Sequence, residues 1–263
     1  MNPEYISFIA RANQGNPSPG GLALLRQSLS GLPPQKKGAK VLEIGVNTGA
    51  SFIALAEMLP QCELIGIDID VNMVEAASRN YRESVELLGL SHGNRLEKAD
   101  ATELPYPNES FDLVVSGGTL SFIADKERAI QEIYRILKPS GFFLSIEYFK
   151  KEASTVDSTR VNDILGFDVS ITTLSYWMKI HSVFSFEGIH LSEPFVHRAF
   201  EPGTKKELVK ASMERFGETV SEDDLQKMDT FCEAFREHEP STNLLVLTLR
   251  KIEGTSILAN ACN

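Results

Sequence analysis

Between residues 41 and 68, glycines and acids stand at spacings that ligand chemistry uses. The run Val41-Leu42-Glu43-Ile44 leads into Gly45-Val46-Asn47-Thr48-Gly49, and an apolar helical pattern follows at once. That order reads as a strand, a tight turn and a helix start. Such a turn leaves backbone N–H groups uncovered at the positive end of a helix, where an anionic ligand group is stabilised. A second apolar run, Leu64-Ile65-Gly66-Ile67, ends on Asp68. In a nucleotide-binding βαβ unit an acid about 20 residues past the glycines meets a ribose hydroxyl. The first third of the chain therefore points to a nucleoside-containing cofactor.

Spacing narrows the choice. A dinucleotide fold uses G-x-G-x-x-G, with room for a pyrophosphate. Here the positions are Gly45, Asn47 and Gly49, and no glycine follows three residues after Asn47. The pattern Glu-x-Gly-x-Asn-x-Gly resembles the first motif of the class I S-adenosylmethionine-dependent methyltransferases, whose usual form is acid-x-Gly-x-Gly-x-Gly. Gly66-Ile67-Asp68-Ile69 is similar to that family's ribose-binding strand end. Lys98 to Pro107 resembles its adenine-binding segment, Ser110 to Ser116 its fourth strand, and Arg135 to Gly141 the turn before its fifth. These motifs stand in the family's order across about residues 40 to 150, which makes the set far more specific than one glycine loop.

The resemblance implies S-adenosyl-L-methionine as cofactor and assigns residues to its parts. Gly45 and Gly49 let the backbone approach the methionyl group, and Glu43 is the acid that opens the motif and joins the cofactor-binding set. Asn47 replaces the family's central glycine; Asn tolerates positive φ, so the turn is expected to survive. Asp68 is placed to accept from the ribose hydroxyls. Asp100 and Ala101 are placed at the adenine edge, with Ile69 and Leu104 against its faces. Ser116 closes the set at the end of the fourth strand. The expected reaction is transfer of a methyl group to a small-molecule acceptor by in-line displacement, which asks the protein for alignment and a dry site. A general base is needed only for an acceptor proton of high pKa. His181, Tyr148 and Glu147 are weak candidates for it; His190 and His197 carry no spacing that names a partner. No metal triad is spelled by the histidines.

Composition is ordinary for a globular protein. The 263 residues are 42% hydrophobic and 24% charged, enough for one large core. A net charge of −10 argues against a nucleic-acid partner, since phosphate binding wants a basic surface. Three scattered cysteines make neither a disulfide framework nor a metal site. No apolar run approaches a membrane span and no signal peptide is apparent, so a cytoplasmic location is expected, with a homodimer left open.

The positioning elements follow from pattern. Residues 1–38 read as N-terminal lid helices: a short one from Tyr5 to Ala12, a Pro/Gly loop, and a second carrying Leu22, Leu25 and Leu29. Residues 39–149 read as the cofactor-binding core. Strands are expected at Val41–Ile44, Leu64–Ile67, Arg95–Ala99, Phe111–Val115 and Phe142–Tyr148. Asp70 and Asp125 N-cap helices, and Gly89 suits a left-handed stop. Residues 150–253 hold acceptor-side elements: a helix over Thr173–Val183, a strand within Ile189–Phe200, helices opening at Thr204 and Ser221, and a final strand over Leu244–Leu249. Lys150 to Ile171 has no clear pattern, and residues 254–263 form a polar tail. Strand–helix alternation predicts an α/β fold with a Rossmann-like, doubly wound, mostly parallel sheet. The resemblance adds that the sheet has seven strands with an antiparallel last strand and a helical insertion before it. Two other readings remain: a catalytically inactive S-adenosylmethionine-binding regulator or partner subunit, and an NAD-dependent oxidoreductase.

Overall fold

The computed structural model describes residues 3–12, 19–150, 159–166, 169, 171–184, 186–191, 195–196, 210–211, 213–214, 219–238 and 242–252. Helices α1 (Pro3–Ala12) and α2 (Gly21–Ser30) precede the sheet. Then come β1 (Lys40–Ile44), α3 (Ala50–Met58), β2 (Glu63–Asp68), α4 (Val71–Leu88), β3 (Arg95–Lys98) and β4 (Phe111–Gly117). A 3-10 turn (Thr119–Phe122), α5 (Lys126–Ile136) and β5 (Leu137–Lys150) complete the regular alternation. The later half holds α6 (Thr159–Leu165), α7 (Leu174–Val183), β6 (Phe186–Leu191), β7 (Phe195–Val196), α8 (Glu222–His238) and β8 (Thr242–Lys251).

The sheet order is β3-β2-β1-β4-β5-β8-β6, and β7 also pairs with β8. Strands β1 to β5 pair in parallel, whereas β8 runs antiparallel to both β5 and β6. Among the described residues eight strand segments thus fill seven positions, because β6 and β7 lie along the same edge of β8. This is the doubly wound, mostly parallel sheet expected, with its last strand reversed. The chain order turns outward in opposite directions from β1 and β4, and the crevice at such a switch point is where open α/β sheets bind ligands.

Local chemistry explains the helix boundaries. Asp70 caps α4 by accepting from the Asn72 N–H at 2.8 Å, and Gly89 ends that helix at φ 63°. Asp125 caps α5 by accepting from the Arg128 N–H at 2.9 Å. Ser221 and Asp224 exchange bonds at the start of α8, with Ser221 Oγ accepting from the Asp224 N–H and Asp224 accepting from the Ser221 N–H. That is a capping box with Asp in the usual Glu position.

Two apolar layers sandwich the sheet. One, with Phe52, Leu55 and Leu25, lies under α2, α3 and α4. The other, with Ile130, Ile133 and Trp177, lies under α5 and α7. A third cluster gathers Phe8 and Ile9 of α1, Met73 of α4, Val161 and Leu165 of α6, and Met228 of α8. It is a small cap core, separate from the two sheet layers.

Three expectations need correction. Pro139 and Gly141 do not delay the fifth strand to Phe142: pairing starts at Leu137 opposite Phe111 and passes through a bulge, with Ser140 at φ 61°. Such an irregularity absorbs extra residues, three here, without ending a strand. The unpatterned stretch after Lys150 contains α6, whose buried Val161 and Leu165 pack in the cap core. The strand placed within Ile189–Phe200 starts earlier, at Phe186, and is split into β6 and β7. Of the helix expected from Thr204, Lys210, Ala211, Met213 and Glu214 are helical; its opening and the tail 254–263 lie outside the described residues.

Candidate functional site at the carboxyl ends of the strands

The turn after β1 is built from alternating left-handed residues. Gly45, Asn47 and Gly49 take φ of 76°, 49° and 93°. Asn47 keeps the turn by entering the left-handed region and by accepting from the Thr48 N–H through its own Oδ1 at 2.7 Å. Asn is one of the residues that tolerates this conformation. Gly45 has a second requirement: a Cβ there would stand 2.0 Å from Thr119 Oγ1. Thr119 leans over the turn and donates to the Ile44 carbonyl at 2.9 Å. Gly49 precedes α3, whose opening has no side-chain cap. Its first-turn N–H groups therefore remain available to an anion.

Asp68 ends β2 and is tied to the turn. Its carboxylate accepts from the Asn47 N–H at 2.9 Å and from the Asp70 N–H at 3.1 Å. Burial raises its pKa, opposed by those backbone bonds and assisted by the negative charge of Asp70. Glu43 lies under the turn, buried, with one carboxylate oxygen lacking any hydrogen-bond partner. Burial pushes its pKa up to about 8; a Ser51 hydrogen bond opposes this and the Asp68 charge adds to it. Glu43 is thus largely neutral at pH 7.

Asp100 lies past β3 on the same edge. It accepts from the Thr102 N–H and hydroxyl, both at 2.8 Å, in an Asx turn. Ala101 is buried beside it, and Ile69 is half exposed. Leu104 departs from its expected place on a ligand face: it is buried in the core, and its N–H donates to Glu132. Arg135 donates to the carbonyls of Leu104 and Tyr106 and pairs with Glu132. The segment after β3 is thereby fastened to α5. Sequence reading missed this clamp; an i, i+3 acid–base pair on a helix is too common to announce it.

Ser116 is fully buried at the end of β4, and its hydroxyl turns to Glu147 at 3.1 Å. Glu147 is also fully buried. Its oxygens accept from Ser116 Oγ, Ser145 Oγ, Ser121 Oγ and the Ser121 N–H, at 3.0–3.2 Å. Burial pushes its pKa up to about 7 against those four donors. Tyr148 lies beside Gly118, and burial together with the Glu147 charge raises its phenol pKa. His181 packs between Phe143 and Trp177, buried, with neither ring nitrogen bonded. Burial lowers its pKa to about 4, so it is neutral at pH 7. The His190 side chain and His197 lie outside the described residues. Among the described residues no group of acids, histidines and cysteines could hold a metal ion.

The C-terminal edge of the sheet therefore gathers Glu43, Gly45, Asn47, Gly49, Asp68 and Ile69 on one side of the switch point. Ser116, the 3-10 turn and Glu147 lie on the other.

Residues 42–145 match the family model described as "Methyltransferase domain". The demethylmenaquinone methyltransferase of Symbiobacterium thermophilum is 33% identical over 118 residues, 44% of this chain and 45% of that protein. The chain spans about half the length, or less, of the curated relatives it matches. Among solved structures, Haemonchus contortus phosphoethanolamine N-methyltransferase 2, in complex with phosphomonomethylethanolamine and S-adenosylhomocysteine, superposes with TM-score 0.69 at 21% identity. The match covers 90% of this chain and 54% of that one. The [4+2]-cyclase SpnF superposes with TM-score 0.65 at 22% identity, covering 92% and 85%. At such identities the likeness establishes the fold, and a cyclase among the neighbours illustrates that fold does not dictate reaction. The family match and the ordered motifs fall on the same stretch: residues 42–145 match a methyltransferase domain, and the α/β fold is shared with solved methyltransferases.

Proposed function

We propose that the protein transfers a methyl group from S-adenosyl-L-methionine to a small-molecule acceptor. The observation that carries this reading is the left-handed turn Gly45–Gly49, tied to Asp68 at the switch point of a methyltransferase domain. The residues suit the cofactor. The uncapped opening of α3 receives its carboxylate, and the two glycines admit its methionyl chain. Asp68 keeps acceptor capacity for the ribose hydroxyls beyond its two backbone bonds, because a carboxylate offers about four lone-pair sites. Ile69 offers an exposed apolar surface for the adenine, and Asp100 with Ala101 reads its edge. When bound, S-adenosylmethionine supplies an electrophilic methyl on a sulfonium leaving group. The protein then has to align the acceptor and exclude water.

The acceptor is proposed to sit between the strand ends and the cap formed by α1, α6 and α8. Arg11 of α1 pairs with Asp224 of α8, and Arg79 of α4 reaches the Ala10 carbonyl. The N-terminal helix is thus docked on both the cofactor half and the later half. His181, Tyr148 and Glu147 make poor bases: the first is enclosed by aromatic rings, the second has a raised pKa, and the third is sealed by serines. Reaction by alignment alone therefore fits these residues best. No described helix is long and apolar enough to cross a membrane, and a cytoplasmic setting is proposed. Isothermal titration with S-adenosylmethionine and with NAD tests the cofactor, with micromolar binding of the first expected. Transfer of labelled methyl to small amines, quinols and phenols then tests the reaction. Tighter binding of NAD would overturn the reading.

A further inference from the structure

Glu147 stands at the end of β5, where a general base would be sought, yet its geometry is that of an internal brace. It is completely buried, and each carboxylate oxygen accepts from two donors. One oxygen takes the hydroxyls of Ser116 and Ser145, on neighbouring strands that pair residue for residue. The other takes the hydroxyl and N–H of Ser121, within the 3-10 turn. A carboxylate so engaged has no free edge to offer an acceptor.

The turn it holds bears on the cofactor loop. Two residues before Ser121, Thr119 donates to the Ile44 carbonyl and fills the space above Gly45. Gly118 lets the chain enter this turn at φ 83°. A continuous path therefore runs from Glu147 through Ser121 and Thr119 to Ile44 and Gly45. The far side of the loop is held by the N–H groups of Gly45 and Val46, which donate to the Ile67 carbonyl at 2.8 and 3.0 Å. The loop is gripped between β2 and this turn.

We propose that Glu147 is a positioning residue that fixes the glycine loop through the Ser121–Thr119 turn, and that it takes no part in proton transfer. Its relevance to methyl transfer rests on the function proposed above; the mechanical link does not. Removing the carboxylate would leave three buried hydroxyls and one N–H without their acceptor. The turn would then shift to satisfy them, and Thr119 with it. Glutamine can stand in. Its amide oxygen accepts from Ser121, and its NH2 donates to the Ser116 and Ser145 hydroxyls, which rotate to accept.

The test compares Glu147→Gln, Glu147→Ala and Thr119→Val by amide hydrogen exchange on the ligand-free protein, then by titration with S-adenosylhomocysteine. Glu147→Ala is expected to speed exchange at Gly45 and Val46 and to weaken the ligand, each about tenfold, from loss of net hydrogen bonding. Glu147→Gln should stay within about threefold of the parent in both. Thr119→Val leaves the buried carboxylate intact, so it tests the far end of the path even where Glu147→Ala fails to fold; it should match the alanine effect. A purely structural residue would lower the melting temperature of folded Glu147→Ala without moving loop exchange or affinity, and that result would overturn the proposal. So would a glutamine variant that binds normally but has lost turnover, since it would make Glu147 a base. A parent protein that fails to bind the ligand would refute the proposed function, and the exchange data would still decide the role of Glu147.

Discussion

Glu43→Gln should flatten the pH dependence of stability. Glu43 is 2% exposed, has one oxygen without a partner, and sits near the charge of Asp68. Burial moves its pKa from 4.5 to about 8. Through that interval the unfolded chain has released the proton and the folded protein still holds it. The unfolded state then binds fewer protons, so stability falls as pH rises and levels off above about 8. At about 1.4 kcal/mol per pH unit, this one group removes about 3 kcal/mol between pH 5.5 and 8.5. Glutamine has the shape of the neutral acid and cannot ionise. It keeps the Ser51 contact and removes the Glu43 contribution to the slope. Urea unfolding of both proteins at the two pH values measures the effect, provided the denaturant slopes agree. The parent should lose about 3 kcal/mol more than the variant across that range. Glu147, raised to about 7, adds a decline of the same sign to both proteins and cancels in the comparison. Parallel pH profiles would refute the reasoning, because they would mean that Glu43 ionises in the folded state as easily as in the unfolded chain.

Three further outcomes are expected. Asp68→Ala should weaken S-adenosylmethionine by about 1–3 kcal/mol in calorimetry, as bonds from the ribose to a charged acceptor are lost; unchanged affinity in a folded variant would remove Asp68 from the site. Asp100→Asn should bind the cofactor less tightly and discriminate less between adenosyl and inosyl analogues; equal discrimination before and after would count against an adenine role. Arg11→Ala, which releases α1 from Asp224, should lower turnover several-fold while moving the melting temperature little, since an ion pair with a part-exposed arginine contributes about 1 kcal/mol or less. A large fall in melting temperature with normal turnover would show that α1 serves the fold and not the site.

What the sequence disclosed was local chemistry. Asp70 and Asp125 start helices through bonds to residues at most three positions away, Gly89 stops one by its left-handed backbone, and each is found where pattern put it. Asn47 took the positive φ its side chain tolerates. The parallel sheet followed from alternation, and the reversal of β8 from family resemblance. The parts that stayed hidden depend on partners distant in the chain. The shell of Glu147 is made by serines from β4, β5 and the turn between them, and no spacing rule joins residues 116, 121 and 145. The clamp of Arg135 on the segment after β3 spans about thirty residues. Helix α6 is short and polar along most of its length, and two buried side chains define it only once the cap core exists to receive them.

The charge at the strand ends bears on which cofactor this edge suits. Glu43 feels the charge of Asp68, and Asp68 feels that of Asp70, so three acids stand at the same place. A dinucleotide would bring a doubly charged pyrophosphate to the turn before α3, near the Asp68 and Asp70 carboxylates, whose charge opposes it. S-adenosylmethionine brings one carboxylate for the helix opening and two cationic centres, an ammonium and a sulfonium. A site acidic beneath its glycines and open at a helix N-terminus suits that mixed charge. Binding of the cationic cofactor would stabilise the ionised form of Glu43, whose pKa is pushed up to about 8, so it should release protons near neutral pH, whereas an anionic ligand would take them up. Calorimetry in two buffers of different ionisation enthalpy reads the sign directly. Proton uptake on binding would count against this account of why the edge is acidic.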